Sequence, residues 1–266
     1  MDISVVIRCG DDDRVFQCIE SIDEDVEVIV SISRNDELQE KLEKLGIKYC
    51  LSPRKNLSKT SNIGFENATY NKVIITDSDT VFEKKCIQKL NDALDYNKVA
   101  CAGIRFMTDL STMGSNLIAE TRDYVNSKKL VFTPGIAVRK DILEDIGGFL
   151  FDEEVPYAVD ANLDYRIKKA GIPVSWLIND AYIKHSHESL KHDLKAAYRI
   201  GKGCREGVFN LRQHPQYKDI KWNELKATKL TDIKQVFLEK GIFAGMYQTI
   251  WDFVFYMGYG SQVLKE

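Results

Sequence analysis

The sequence lacks a long apolar run and an excess of charge of either sign. Its most apolar stretch, residues 241–260, is interrupted by Gln248 and Asp252. A membrane-spanning helix needs about 20 apolar residues and tolerates an acidic residue near its centre poorly. Lys and Arg number 37 against 40 Asp and Glu, so the chain has no overall positive field to attract nucleic acid. We therefore expect neither a membrane-spanning segment nor a nucleic-acid partner.

Clustered cysteines and a leader segment are also missing. The six cysteines are scattered without a CxxC pair, which favours reduced, structural thiols over disulfides or a structural zinc site. Residues 1–8 show no basic segment followed by an apolar one, so no signal peptide is expected. The 44% hydrophobic and 10% aromatic residues suffice to form a core. These observations predict a folded cytoplasmic protein.

The first half of the chain alternates between strand and helix patterns. Strands are predicted at residues 3–7, 26–32, 47–51, 72–76 and 99–104. Between these apolar runs, hydrophobic residues recur at helical spacing. The alternation predicts an α/β fold in which helices cover both faces of a mainly parallel sheet.

The second half of the chain is less regular. Further strands are predicted at residues 131–138, 172–177 and 181–184. From residue 190 onward the pattern is helical, with breaks expected at Gly201, Gly203, Pro215 and Gly241. We predict an α/β domain of residues 1–205, followed by a helical C-terminal extension of residues 206–266.

Two carboxylates flank Ser78 at the end of the predicted strand 72–76. In parallel α/β sheets, ligands bind beyond the carboxyl ends of the strands, so Asp77 and Asp79 are expected to face a site. Two oxygen ligands close together suit Mg²⁺ or Mn²⁺, which would in turn hold the oxygens of a diphosphate. The alternative is that both residues only cap the next helix.

Two of the four histidines, His185 and His187, follow another predicted strand. On a strand, residues two apart face the same side, and imidazole is a common ligand of Mn²⁺ and other transition metals. The alternative interpretation is a hydrogen-bonded histidine in a loop.

A third candidate residue, Asp160, begins a predicted helix. The helix dipole stabilises an anion there, so Asp160 either caps the helix or acts as a general base aimed into a cleft. Asp164 and Arg166, on the same helix, are equally compatible with ordinary surface ion pairs.

In their order and spacing these segments resemble the family 2 glycosyltransferases, inverting enzymes of the GT-A fold that use nucleotide-diphospho-sugars. The resemblance covers residues 3–205. The matching segments are residues 56–64, Asp77-Ser78-Asp79, Gly147-Gly148-Phe149 followed by Asp152-Glu153, residues 159–166 with Asp160, Leu163 and Arg166 kept, His185-Ser186-His187, and the helix ending at Gly201-Lys202-Gly203.

The resemblance implies a Rossmann-like GT-A fold and transfer of a sugar, such as a hexose, to an acceptor hydroxyl with inversion. It implies that Asp160 is the general base and that Asp79 and His187 hold Mn²⁺ or Mg²⁺, with Asp77 and His185 as further candidates. The donor-binding residues that it implies are Ser31, Asn56, Lys59, Asn62, Asp77, Ser78, Asp79 and Arg166. The acceptor would be a carbohydrate, lipid-linked or protein molecule of polysaccharide, glycolipid or other glycoconjugate synthesis.

The sequence departs from the family pattern at several positions. Ser31 replaces an aspartate at the end of the second strand, and Val159 and Asn162 replace two acids around Asp160. A catalytically silent nucleotide-sugar or carbohydrate-binding protein is the alternative that these departures leave open. A sugar-nucleotide pyrophosphorylase is disfavoured, because the segment after the first strand has one glycine and three acids, which would repel a triphosphate.

The extension ends in a helical segment, residues 242–263, with too many large apolar side chains for a helix surrounded by water. Three interpretations stay open: packing on the α/β domain, closure of a homodimer, or peripheral contact with the cytoplasmic face of a membrane. The lysines that would attract anionic lipid in the third case are Lys226, Lys229, Lys234 and Lys240.

Overall fold

Eight strands form one mixed sheet in the computed structural model, which describes residues 1–225 and 230–263. Lys226 and Lys229 lie outside the described residues. The strands are β1 (Ile3–Gly10), β2 (Glu27–Ile32), β3 (Lys48–Leu51), β4 (Lys72–Asp77), β5 (Thr80–Phe82), β6 (Val99–Phe106), β7 (Ile136–Arg139) and β8 (Val174–His185). The helices are α1 (Val15–Glu20), α2 (Asp36–Lys44), α3 (Leu57–Asn67), α4 (Cys86–Ala93), α5 (Ser115–Asn126), α6 (Val159–Lys169), α7 (Leu190–Leu211), α8 (Leu230–Lys240) and α9 (Ile242–Val263).

The strand order is β3-β2-β1-β4-β7-β6-β8-β5, and the predicted α/β class is confirmed. The first four strands of this order run parallel, because α1, α2 and α3 connect them and return the chain each time to the same end of the sheet. β7 is antiparallel to both of its neighbours, and β5 is antiparallel to β8. The sheet is therefore more mixed than the alternation of the first half predicts.

Alternating side chains of the central strands supply two apolar cores on opposite faces of the sheet. Val5 of β1 and Ile74 of β4 belong to one core, together with residues of α1, α2 and α4. Val6 and Ile75 belong to the other core, which α3 and α6 cover. Because helices cover both faces of the sheet, successive residues of β1 and β4 are mostly apolar, and the two strands appear in the sequence as continuous apolar runs.

Two predicted strand boundaries are wrong. Residues 172–177 and 181–184 belong to one strand, β8, whose register against β6 shifts between Ala102 and Gly103. Of the predicted strand 131–138, only the last part forms β7, because the amide of Val131 hydrogen-bonds to the Asp164 side chain instead of a neighbouring strand.

The predicted helix breaks at Gly201 and Gly203 are also wrong, since α7 continues through both. A Cβ atom on Gly201 would lie 2.0 Å from the carbonyl oxygen of Phe255, and one on Gly258 would lie 2.0 Å from that of Tyr198. The glycines thus let the backbones of α7 and α9 touch rather than end a helix. The predicted boundary at residue 205 falls inside α7, which packs on both α6 and α9.

No helix within the two described ranges is both long enough and apolar enough to cross a membrane.

The glycine contact between α7 and α9 predicts opposite effects for two neighbouring substitutions. Gly258→Ala is expected to destabilise the protein by about 1–3 kcal/mol, because the added methyl overlaps the backbone of α7. Gly260→Ala meets nothing within 4 Å and is expected to stabilise α9 by about 0.5–1 kcal/mol through helix propensity. Urea unfolding of the two variants measures both values, and equal effects would contradict this description of the contact.

Candidate functional site

The site begins with an ion pair between the ends of two parallel strands. Arg8 of β1 lies opposite Asp77 of β4 in the sheet register. Its Nε and Nη2 atoms each donate to one carboxylate oxygen of Asp77 at 2.8 Å. Burial raises the pKa of Asp77, and the Arg8 charge opposes that effect. Both carboxylate oxygens of Asp77 are therefore already hydrogen-bonded to Arg8.

Asp79, His185 and Glu188 form a cluster beside this pair. One ligand atom of each lies within 4.8 Å of the others. The antiparallel pairing of β5 with β8 brings them together, because Thr80 lies opposite His185. The amide and the hydroxyl of Ser186 both donate to the carbonyl of Asp79 at 2.8 Å, which fixes the end of β8 to the turn after β4.

The His185 ring is oriented to offer its Nε2 atom to the cluster. Its Nδ1 atom lies 2.8 Å from the carbonyl oxygen of Ser186. A carbonyl can only accept, so Nδ1 donates this hydrogen bond; in the neutral ring Nε2 then has a lone pair available, 3.5 Å from the Asp79 carboxylate. The ring also stacks on Phe106, with 4.4 Å between the ring centroids. Two carboxylates and a neutral imidazole held in this way fit Mn²⁺ or Mg²⁺.

His187 lies outside this cluster. Its Nε2 atom lies 3.5 Å from Asp109, and its side chain is 45% exposed. The spacing of two residues does not place both histidines on one side, because β8 ends at His185 and the chain leaves the sheet there. Sequence reasoning missed Glu188, although it follows His185 by only three residues. Burial raises the pKa of Glu188, and the nearby Asp79 carboxylate acts in the same direction.

Asp160 lies in the first turn of α6, where its Oδ1 atom accepts a hydrogen bond from the Ala161 amide at 2.9 Å. Burial raises its pKa to about 6, and the positive charge of Arg8 is the main opposing influence. A carboxyl group tuned in this way exchanges a proton readily near neutral pH.

Asp160 lies where two cavities meet. We call the cavity of about 540 Å³ the polar lobe; its lining includes Arg8, Asn56, Asp79, Glu188, His192 and Arg199. We call the cavity of about 690 Å³ the apolar lobe, after the apolar part of its wall, which includes Val125, Leu130, Phe132, Cys204 and Phe255; charged residues such as Asp164, Lys168 and Lys169 also line it. Asp77, Asp160, His185 and Trp251 line both lobes. The two lobes thus adjoin as one cleft, and Asp160 belongs to the wall that they share.

The remaining residues predicted to bind a donor divide between the cleft and the protein interior. Asn56 lines the polar lobe and also caps α3, since its Oδ1 atom accepts from the Lys59 amide at 2.9 Å. Ser78 lines the same lobe. Ser31 is fully buried beside Cys50, and Ser33, two residues further along, lines the lobe in its place.

Arg166 and Asn62 hold the chain between β7 and α6 in place. Arg166 is fully buried, and its Nη1 atom donates to the carbonyls of Ile146 and Phe149 at 3.0 and 2.7 Å. Asn62 exchanges two hydrogen bonds with the backbone of Phe151. Neither residue lines the polar or the apolar lobe. The Nζ atom of Lys59 lies 4.0 Å from Glu153, also outside the lining of both lobes.

Comparison with known proteins gives one family match. Residues 9–147 match the model of glycosyl transferase family 2. No protein with a curated description matches the chain.

Several solved structures share the fold at low sequence identity. TarS of S. aureus, residues 1–349, is 14% identical over 100% of this chain and 92% of that chain, with a TM-score of 0.53. The same protein in complex with UDP-GlcNAc is 15% identical, with coverages of 100% and 93% and a TM-score of 0.53. GalNAc-T7 with UDP, GalNAc and Mn²⁺ is 13% identical over 96% of this chain and 58% of that chain, with a TM-score of 0.58.

The cluster predicts which histidine matters for metal binding. His185→Gln and Glu188→Gln are each expected to weaken Mn²⁺ binding by at least about tenfold, since each removes a ligand. His187→Gln is the matched control and is expected to leave the affinity unchanged. Isothermal titration of the three variants with Mn²⁺ measures this. Loss of binding in His187→Gln but not in His185→Gln would contradict the assignment.

Proposed function

Since the chain belongs to glycosyl transferase family 2, we propose that it transfers a sugar from a nucleoside-diphosphate-sugar to an acceptor hydroxyl, with inversion at the anomeric carbon. The observation that carries this proposal is the position of Asp160, a carboxyl group with a pKa near 6 where the two lobes meet. The complexes of fold neighbours with UDP-GlcNAc, and with UDP and Mn²⁺, support a nucleotide-sugar donor.

The donor is proposed to occupy the polar lobe. Asp79, His185 and Glu188 would hold Mn²⁺ or Mg²⁺, which as a Lewis acid stabilises the negative charge of a departing diphosphate. Arg8 adds a fixed positive charge, and its Nη1 atom is buried without a hydrogen-bond partner. An oxygen of the donor would satisfy this atom, because an unpaired buried N–H is costly.

The acceptor is proposed to enter from the apolar lobe. Its hydroxyl oxygen forms the new bond to the anomeric carbon while the bond from that carbon to the diphosphate oxygen breaks. The Asp160 carboxylate accepts the hydroxyl proton as the oxygen attacks. Attack from the side opposite the leaving group inverts the anomeric centre, as in other single displacements at this carbon.

The lining of the apolar lobe supports an acceptor with an apolar portion. Val125, Phe132 and Phe255 form part of its wall, whereas Lys168 and Glu224 are exposed residues of its lining. A glycolipid, lipid-linked or aromatic acceptor places its apolar portion against this wall and its hydroxyl at Asp160. Such acceptors belong to glycoconjugate synthesis, which we place in the cytoplasm.

Asp160→Asn tests the proposed base. Turnover is expected to fall by about 10²–10⁴-fold, the usual contribution of a general base, while donor affinity stays nearly unchanged. In the wild-type protein the rate is expected to fall as the pH drops through about 6, because the carboxylate form of Asp160 is lost there. Steady-state kinetics over a pH series measures both effects, with Glu20→Gln, at an exposed position of α1 outside the lining of both lobes, as the control. Equal losses of turnover and donor affinity would make Asp160 a donor contact.

Asp160→Asn is expected to stabilise the fold at high pH, although it lowers turnover. The pKa of Asp160 in the fold lies above its ordinary value, so the stability that the protonated form provides is lost as the pH rises through about 6. Asp160→Asn is therefore expected to raise the melting temperature at pH 8, and the difference should vanish below about pH 4. A lower melting temperature at pH 8 would show that the charge stabilises the fold.

Matched acceptors test the apolar lobe. A panel of sugars is first screened for acceptors. For a sugar that accepts transfer, we expect kcat/KM to be at least about tenfold higher for its octyl glycoside than for its methyl glycoside. Each buried CH₂ group contributes about 0.8 kcal/mol, so burial of only part of the octyl group is enough for a tenfold preference. Phe132→Ser is expected to reduce this preference, and Tyr96→Ser, far exposed on the surface, is the control. Equal kcat/KM values for the two glycosides in the wild-type protein would contradict an apolar acceptor site.

A further inference from the structure

The exposed face of α9 carries no charged residue. In the described part of this helix, the exposed residues are Ile242, Phe243, Met246, Thr249, Ile250, Phe253, Tyr256, Met257 and Gly260. Phe243 is 76% exposed and Phe253 is 66% exposed. A helix surface facing water normally carries charged or polar side chains, so this face is suited to a partner.

Three polar side chains of α9 are buried against the protein. Gln248 and Asp252 are buried, and the Gln248 amide donates to the Asp252 carboxylate at 3.0 Å. Tyr247, also buried, donates to Asp193 of α7 at 2.6 Å. The helix therefore buries its one carboxylate and its Gln248 amide against the protein, while several of its large apolar side chains remain exposed.

The apolar residues on this face follow the spacing of a helix-pairing surface. Phe243, Met246, Ile250, Phe253 and Met257 are separated by 3, 4, 3 and 4 positions; we call these five residues the seam. This is the a/d spacing of helices that pair with another helix. Neighbouring positions such as Ala244, Trp251 and Phe255 are buried in this chain, so the seam is narrow and separate from the core.

We propose that the seam is the interface of a homodimer in which α9 packs antiparallel against α9 of a second copy. The seam with Ile242 and Tyr256 exposes on the order of 800 Å², about what each partner of a standard interface buries. A two-fold axis near Ile250 would place each Phe243 beside the other copy's Met257. Since neither face carries charge, no like charges meet when the two seams join.

Exposed residues of α8, which packs on α9, would supply polar groups for the rim of the proposed interface. On α8, Lys234, Gln235 and Glu239 are exposed beside the apolar Phe237 and Leu238. An apolar centre with a polar rim is typical of interfaces between proteins. The backbone contact of α9 with α7 through Gly201 and Gly258 holds the seam in a fixed position. A rigid surface loses little conformational entropy on association.

The dimer is tested first by mass. Light scattering after size exclusion, over a concentration series, is expected to give twice the chain mass of 30.4 kDa. Ile250→Lys and Phe253→Glu, both at exposed positions, are expected to give monomers with unchanged circular dichroism. Tyr96→Lys, at an 87% exposed position outside the C-terminal helices, is the matched control and is expected to stay dimeric.

The antiparallel register is tested by cysteine cross-linking. Ile250→Cys is expected to form an intermolecular disulfide with its own mate, because it lies at the proposed axis. Phe243→Cys and Met257→Cys are each separated from their own mates by about 20 Å along the helix pair. They are expected to cross-link only when the two variants are mixed. The wild-type protein controls for its native cysteines, of which only Cys50 is not fully buried.

A wild-type protein that stays monomeric at every concentration would overturn the proposal. A monomer that floats with vesicles of phosphatidylcholine and phosphatidylglycerol would show that the seam faces a bilayer instead. A dimer that persists in both seam variants would place the interface elsewhere. All of these readouts are independent of sugar transfer, so they stand apart from the outcome for the proposed function.

Discussion

The ion pair between Arg8 and Asp77 is the interaction on which the cleft depends. It joins the carboxyl ends of β1 and β4, two neighbouring interior strands of the sheet, at a place where Arg8 is almost fully buried. Removing either partner would leave an uncompensated buried charge, which typically costs about 3–5 kcal/mol. The pair also places a positive charge near Asp160, where it opposes the burial that raises the pKa of that carboxyl group. One interaction thus links the stability of the sheet to the electrostatics of the site.

Helix α9 links the cleft to the surface of the protein. Its inner face supplies Trp251, which lines both lobes, and Phe255, which lines the apolar lobe. The Arg122 guanidinium lies 4.6 Å from the Trp251 ring centroid and also binds Asp193, to which Tyr247 donates. Its outer face carries the seam. Any partner that holds α9 in place therefore also holds one wall of the proposed acceptor site.

Much of the fold could be predicted from the sequence, because buried parallel strands leave continuous apolar runs. The placement of Asp77 at the end of β4, with Asp79 two residues further on, follows from the same pattern. The glycines of α7 were misleading, since a glycine that ends a helix and one that admits a neighbouring backbone look alike in a single sequence.

The members of the candidate site could be predicted only in part. Arg8 and Asp77 are 69 residues apart, and nothing local to either residue indicates the pair. The choice between His185 and His187 depends on where β8 ends, because strand alternation stops at that residue. Arg166 has the sequence position of a ligand contact, yet its guanidinium is satisfied by backbone carbonyls inside the protein. Burial and hydrogen-bond partners, which depend on tertiary contacts, decide these cases.

The stereochemistry of donor cleavage is the most direct test of the central claim that this cleft performs an inverting sugar transfer. Proton NMR can follow UDP-GlcNAc, whose sugar is α-linked, in the presence of the protein and Mg²⁺, with water or an acceptor taking the sugar. An inverting transfer gives a first product whose anomeric signal is that of the β-anomer, before any mutarotation. An α-anomeric first product would contradict inversion. No cleavage with any member of a nucleotide-sugar panel would contradict the proposed activity itself.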